Sequence, residues 1–79
     1  MRIISQGGHA DLPYERTHLC SNTENVMARC DGKEYLMGSY ATHEKAIKTM
    51  EMCRRYYDNR SSVTEPKIFR FPTDEEVRV

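Results

Sequence analysis

The sequence predicts a small α+β fold, in which one amphipathic helix covers one face of a small antiparallel β-sheet in the order β-β-β-β-α-β. Residues 42–60, THEKAIKTMEMCRRYYDNR, carry apolar side chains at the three- and four-residue spacing of one helical stripe. Asp31-Gly32, a dipeptide favoured in two-residue hairpin turns, separates two strand-like stretches. A chain of 79 residues has room for one thin core, so the stripe and the sheet must cover each other.

The strands before the helix follow from β-branched residues and turn signals. Ile3 and Ile4 begin a first strand, which stops at Gly7-Gly8, and Pro13 restricts the next segment to a bend or a sheet edge. A second strand is predicted at 16–21, followed by a turn at 22–25.

The predicted hairpin joins residues 25–30 to residues 33–41. Val26, Ala28 and Cys30 share one face of its first strand by simple alternation. On its second strand, alternation puts Leu36, Gly38 and Tyr40 on one face and Tyr35, Met37 and Ser39 on the other. We expect the face with Leu36 to lie against the helix.

The helix has agreeing start and stop signals. Thr42 is a suitable N-cap, Glu44 lies where the helix dipole favours an anion, and Arg54 and Arg55 lie near the opposite end. The predicted buried stripe consists of Ala46, Ile47, Met50, Cys53, Arg54 and Tyr57.

The C-terminal part predicts a last strand and a tail. Phe69 and Phe71 share one face of the segment KIFRF, which ends at Pro72. We therefore expect a single compact domain at 1–72 and an acidic, mobile tail at 73–79.

The charge pattern indicates one candidate binding surface. Twelve Lys and Arg residues balance twelve Asp and Glu residues, which disfavours general binding to nucleic acid or to an anionic membrane. Basic residues nevertheless crowd the end of the helix and the last strand, where they could grip a phosphate-bearing ligand or an acidic protein; a solvated helix end is the alternative. The candidate partner- or ligand-binding residues are Arg54, Arg55, Tyr56, Arg60, Lys67 and Arg70.

The cysteines do not predict a disulfide scaffold or a metal centre. Cys20, Cys30 and Cys53 are odd in number, and no apolar signal or membrane segment is present, so we expect a reducing cytoplasm. No C-x-x-C pair, nucleophile elbow or phosphate-binding glycine loop occurs. We therefore predict no catalytic residues, no metal and no cofactor.

Four stretches of the sequence resemble small proteins encoded by phages and prophages of Gram-positive hosts, especially Firmicutes. They are MRIISQ at the start, DLPYE at 11–15, SYATHEKAIKTMEMCRRYY at 39–57 and FRFPTDEEV at 69–77. Gly7 replaces the acidic residue usual in that group, Cys53 replaces a leucine, and the loop at 58–66 is short. The resemblance implies a phage accessory protein in the bacterial cytoplasm, but it brings no activity and no catalytic residues.

Such accessory proteins often oppose host defence, which suggests three functions. The first is a non-catalytic inhibitor, similar to anti-CRISPR proteins, that binds a host defence protein or nucleoprotein complex. The second is an oligomeric sponge for a phosphorylated or cyclic nucleotide. The third is a small metal- or thiol-dependent enzyme, which requires His18 and Cys20 to meet Cys30 or Cys53. A homo-oligomer is expected, since assembly enlarges a small core.

Overall fold

The computed structural model describes residues 1–59 and 67–78 and has the expected α+β class. These residues form six strands and one long helix in the order β-β-β-β-β-α-β. The elements are β1 (Arg2–Ile4), β2 (Asp11–Pro13), β3 (His18–Asn22), β4 (Asn25–Cys30), β5 (Lys33–Ser39), α1 (His43–Asp58) and β6 (Ile68–Arg70). The strand that the sequence does not predict is Asp11–Pro13, in the segment expected to be a bend or a sheet edge. Short 3-10 helices occupy Tyr14–Arg16 and Asp74–Glu76.

The helix begins where the sequence predicts. The Thr42 hydroxyl accepts a hydrogen bond from the Lys45 backbone N–H at 3.1 Å, which satisfies one of the free donors of the first turn. The buried stripe is rotated from the predicted one, however. Ala46, Thr49 and Cys53 are fully buried, whereas Ile47 is 43% exposed and Arg54 is exposed. Thr49 can occupy the core because its hydroxyl donates to the Lys45 carbonyl at 3.0 Å.

Strands β3, β4 and β5 form one antiparallel sheet, called here the second sheet. The predicted hairpin is confirmed: Cys30 pairs with Lys33, and Asp31 and Gly32 have φ values of 52° and 81°, as a type I′ turn requires. The turn between β3 and β4 also has the predicted position, although Thr23 and not an asparagine adopts the positive φ, at 56°.

The expectation that Leu36 faces the helix is wrong. Because the turn pairs Cys30 with Lys33, Tyr35 lies opposite the buried Ala28, and Leu36 points outward with 53% exposure. The same register puts Met37 on the core face with Tyr35, and Met37 is fully buried. A bulge between Val26 and Met27 then shifts the register by one residue, so Tyr40 also lies on the core side.

The expected single antiparallel sheet is also corrected. Strands β2, β1 and β6 form a separate three-stranded sheet, the first sheet, in which β1 is antiparallel to β2 but parallel to β6. The parallel pair arises because α1 separates β6 from β5, so β6 does not return as a hairpin partner.

The segment expected as a separate acidic tail is folded against the domain through residue 78. Val77 is 2% exposed and belongs to the core, while Thr73 and Glu76 form a capping box around the last 3-10 turn. Asp74 accepts a hydrogen bond from the Ala41 N–H at 2.6 Å and one from Lys45 Nζ at 3.3 Å. The acidic side chains therefore anchor the segment, and Val79 lies outside the described residues.

Gln6 connects the two sheets. Its backbone N–H donates to the Met37 carbonyl at 2.8 Å, and its side-chain oxygen accepts from the Ser39 N–H at 2.9 Å. Its amide nitrogen donates to the Pro72 carbonyl at 2.9 Å. Gln6 thus occupies the outer edge of β5 much as another strand would.

One hydrophobic core joins both sheets and α1. It contains Ile3, Leu12 and Phe69 from the first sheet, Val26, Ala28 and Met37 from the second, and Ala46 and Cys53 from the helix. One flank of α1 packs against β6 through Tyr56 and Phe69, and a cleft lies beside the other flank.

Candidate functional site

The candidate site is a cleft of about 620 Å³ between one flank of α1 and the chain that enters β3. Helix α1 packs across β3 and β4, and the 3-10 turn at Tyr14–Arg16 forms the facing wall. The lining residues are Tyr14, Glu15, Thr17, His18, Leu19, Ile47, Met50, Glu51, Arg54 and Tyr57.

Two tyrosines form the end of the cleft where the helix finishes. The rings of Tyr14 and Tyr57 lie 4.9 Å apart with a 45° tilt. Tyr14 is fixed from the backbone, because its N–H donates to the Met1 carbonyl at 2.8 Å and its carbonyl accepts from the Thr17 N–H at 3.1 Å. Burial raises the pKa of the Tyr14 phenol, so it stays neutral and acts as a hydrogen-bonding group.

The charges of the cleft leave one cation unmatched. Glu15 binds the N-terminal ammonium of Met1 at 2.6 Å, and Glu51 binds Arg55 at 2.8 Å. Arg54 is exposed and forms no ion pair with any residue in the described ranges. The cleft therefore offers a planar guanidinium to an incoming acceptor.

The remaining surface of the cleft is largely apolar. Ile47 is 43% exposed, and Leu19 and Met50 are half-buried against the core. Ile47 thus presents an aliphatic side chain to solvent about two helical turns before Arg54 on the same helix. An apolar contact flanked by one charge is the composition expected for protein recognition.

The residues predicted from sequence do not form one surface. Arg54 lies at the cleft and Arg55 is held by Glu51, whereas Tyr56 and Lys67 lie on the other flank of α1 beside β6. Lys67 Nζ is 5.0 Å from the centre of the Tyr56 ring and donates to the Tyr56 carbonyl at 3.4 Å. Tyr56 also packs against Phe69, with 5.8 Å between ring centres.

The other two predicted residues are separate again. Arg70 is exposed in β6, where its charge helps to lower the pKa of Asp11 after the larger effect of the hydrogen bond from Arg2. Arg60 lies outside the described residues. The binding role of the whole set stays a prediction, with Arg54 as its one member in the cleft.

The thiols are divided between two sides of the second sheet. Cys20 is exposed beside His18 on the outer face, while Cys30 and Cys53 are buried on the core side. Burial raises the pKa of the Cys53 thiol to about 12, which keeps it protonated and unreactive at neutral pH. Within residues 1–59 and 67–78, no group of three or more His, Cys, Asp or Glu side chains is arranged to hold a metal ion.

Sequence reasoning missed most of the cleft. The wall formed by Tyr14 and Glu15 depends on how Pro13 ends β2 and starts a 3-10 turn, and a local pattern gives no indication that this turn meets α1. Ile47 fits the helical period and is therefore predicted to lie in the core. In the structure the buried face of α1 is centred on Ala46, Thr49 and Cys53, which leaves Ile47 exposed. Tyr14 is the one sequence signal for this contact, because an aromatic side chain in a short polar segment usually packs against another part of the protein.

Comparison with protein-family models, with curated proteins and with solved structures found no match for this chain. Among the described residues, no helix combines the length and the apolar character needed to cross a bilayer.

Proposed function

We propose that this protein is a non-catalytic binding protein that holds a segment of a partner protein in the cleft between α1 and β3. The resemblance to small phage and prophage proteins supports a bacterial cytoplasmic setting and a host defence protein or nucleoprotein complex as the partner. In that setting the bound protein is inhibited by occupation of its surface, as anti-CRISPR proteins inhibit theirs.

The observation that carries the proposal is that Arg54, which has no ion-pair partner in the described part of the chain, lines the same cleft as the exposed Ile47. Folding satisfies the neighbouring carboxylates of Glu15 and Glu51 with cations of their own, but none of the residues 1–59 and 67–78 provides a counter-charge for Arg54. A partner that places a carboxylate on Arg54 and an apolar side chain on Ile47 and Leu19 matches both features. Arginine with aromatic neighbours is also the composition enriched at binding hot spots.

The same cleft is poorly equipped for catalysis. The Thr17 hydroxyl already donates to the Pro13 carbonyl at 2.6 Å, so it is not positioned as a nucleophile. The exposed thiol of Cys20 lies on the opposite face of β3 from the half-buried Leu19. These contacts favour recognition over covalent chemistry.

Quantitative affinity capture from bacterial cells that carry defence systems tests the proposal. The double variant Ile47→Asp/Arg54→Glu reverses both cleft features at exposed positions, and Arg29→Glu/Leu36→Asp is the matched control on the outer face of the second sheet. We expect one host protein, in constant molar ratio, with the wild type and the control, and at least a tenfold loss with the cleft variant. Equal capture by all three proteins would refute the cleft as the binding site.

A nucleotide sponge is the second candidate, favoured by the tyrosine pair in the same cleft as Arg54. An aromatic ring and a guanidinium can hold a base and a phosphate, respectively. A cyclic or ADP-ribose-type nucleotide that binds there should raise the melting temperature of the wild type but not that of Arg54→Glu. No shift with any such nucleotide would eliminate this candidate.

A further inference from the structure

Each sheet has two edge strands, β2 and β6 in the first sheet and β3 and β5 in the second. All of them except β3 carry features that hinder pairing with another chain. In the first sheet, β2 contains Asp11 and Pro13, and β6 is three residues long and ends at Arg70. In the second sheet, β5 starts with Lys33 and Glu34, and Gln6 binds its far end. Prolines, charges, short strands and covering groups are the usual devices that stop an edge from pairing with another chain.

Strand β3 has none of these devices. Its sequence, His18–Asn22 (HLCSN), includes no proline, lysine, arginine, aspartate or glutamate, and β4 is its only strand neighbour among the described residues. It is five residues long, whereas the edge strands β2 and β6 of the first sheet have three residues each. The edge that lacks protection is thus also long enough to pair.

The hydrogen-bond register of β3 leaves four backbone groups pointing outward. The Glu24 carbonyl accepts from the Tyr40 N–H at 3.0 Å, which orients the backbone of Asn25 toward β3. Asn22 and Asn25 are therefore the hydrogen-bonded pair that closes the turn, and by alternation Cys20 also bonds to β4. The N–H and C=O groups of Leu19 and Ser21 face away from the sheet, and no other described element bonds to them.

We propose that a second copy of this chain pairs with β3 in antiparallel register centred on Cys20, giving a continuous six-stranded sheet across a two-fold axis. In this register Leu19 of one copy is opposite Ser21 of the other, so all the outward groups of both residues are satisfied. Cys20 faces its own symmetry mate in the non-hydrogen-bonded position. The occupant is a second copy because the register is self-complementary and brings no like charges opposite each other.

The proposal places the two exposed thiols close together. Cα atoms of a non-hydrogen-bonded antiparallel pair are about 4.5 Å apart, within the range of about 4.4 to 6.8 Å that a disulfide spans. Cys30 and Cys53 are buried, so Cys20 is the one thiol in reach of a second copy. Diamide oxidation of the paired thiols would transfer two electrons and two protons to the diamide and leave one disulfide between the copies.

Purified protein tests the dimer without any partner protein, so its outcome is independent of the proposed function. Light scattering over a dilution series should show a dimer that Cys20→Lys converts to a monomer, because two lysines then oppose each other only in the paired state. Leu36→Lys is the matched control, since it adds the same charge to the same outer face at an exposed position on β5. Diamide should cross-link the wild type and leave Cys20→Ser uncross-linked.

Amide hydrogen exchange gives the second readout. At a protein concentration about ten times the dimer dissociation constant, the Leu19 and Ser21 amides should exchange roughly fivefold more slowly than in dilute protein, because about one fifth of the chains are then monomeric. Wild-type protein that stays monomeric at near-millimolar concentration would overturn the proposal. So would a dimer that Leu36→Lys dissociates and Cys20→Lys does not, because that result places the interface on the outer face of the sheet.

Discussion

Val77 fills the core from a stretch whose neighbours are charged or polar. It is 2% exposed, between the 3-10 turn at Asp74–Glu76 and the exposed Arg78. Val77 follows the acidic residues DEE and precedes an arginine, so the sequence pattern indicates an exposed side chain. In the structure the side chain is instead buried in the core. Single residues of this kind decide how the thin core is closed.

Replacing Val77 by alanine should lower the free energy of unfolding by about 2 kcal/mol, because two buried methyl groups are lost and a cavity remains. Urea unfolding followed by circular dichroism measures the change. Arg78→Ala, at an exposed neighbouring position, should differ from the wild type by less than about 0.5 kcal/mol. Equal midpoints for Val77→Ala and the wild type would mean that the segment does not pack on the core.

Asp74 makes the fold sensitive to acid. The Ala41 N–H, and then Lys45, hold the pKa of this carboxyl below its ordinary value in the folded protein. Its contribution to stability is complete above the ordinary pKa of an unfolded aspartate and is lost as the pH falls through the folded pKa. Asp74→Asn should therefore be less stable than the wild type at neutral pH, and the difference should vanish in strong acid.

Urea unfolding across a pH series measures that dependence. Glu75→Gln is the control, because Glu75 is exposed and has no hydrogen-bond partner among the described residues. The gap between wild type and Asp74→Asn should shrink as the pH is lowered, while Glu75→Gln should follow the wild type. A gap that stays constant with pH would contradict the assigned role of the carboxylate.

At the scale of elements, α1 depends on its first turn and on the sheet it covers. The N-cap bond from Lys45 N–H to the Thr42 hydroxyl sets where the helix starts. His43 Nδ1 lies 2.5 Å from the Thr23 carbonyl and ties the same end to the turn between β3 and β4. The opposite end meets Tyr14 through Tyr57, so the helix runs along β3 and forms the cleft with it.

Thr42→Ala should destabilise the protein by about 1 kcal/mol, since the cap acceptor is lost. Thr42→Ser is the matched control, because it keeps the hydroxyl and should recover most of the loss. Thermal unfolding of the three proteins gives the comparison. If serine were as damaging as alanine, the loss would come from the threonine methyl group and not from the cap.

The elements themselves could largely be predicted from sequence, because their signals are local. Thr42 marks the helix start, Asp31-Gly32 marks the hairpin, and alternation marks the buried faces of β4 and β6. Their arrangement could not be predicted in the same way. The turn register puts Met37 and not Leu36 in the core, a bulge brings Tyr40 to the same side, and β1 pairs in parallel with the distant β6. The cleft depends on that arrangement, so Arg54 is the one residue of its lining that the sequence also predicts for binding.

At the scale of the whole molecule, Gln6 and the shared core hold two small sheets together. Three hydrogen bonds of at most 2.9 Å connect Gln6 to the backbone of Met37, Ser39 and Pro72. A three-stranded sheet with so few residues is marginal alone, and each sheet here relies on the other for a buried face. The molecule should therefore unfold as one unit.

Gln6→Ala should lower the free energy of unfolding by about 1 to 3 kcal/mol, because backbone groups of β5 and Pro72 lose their partners. The Ser39 amide should also exchange faster with solvent, since its acceptor is removed. Glu34→Ala is the control on β5, as it breaks an exposed ion pair with Arg29 that contributes at most about 1 kcal/mol. Unchanged exchange at Ser39 in Gln6→Ala would show that the edge is satisfied by another group.

Site-specific photo-cross-linking in bacterial cells tests the central claim, that the cleft is where a partner protein binds. A photoreactive phenylalanine analogue replaces Ile47 inside the cleft or, as control, Leu36 on the outer face of the second sheet. We predict one discrete adduct with a host protein from position 47 and none from position 36. The same adduct from position 36 but not from position 47 would contradict the account.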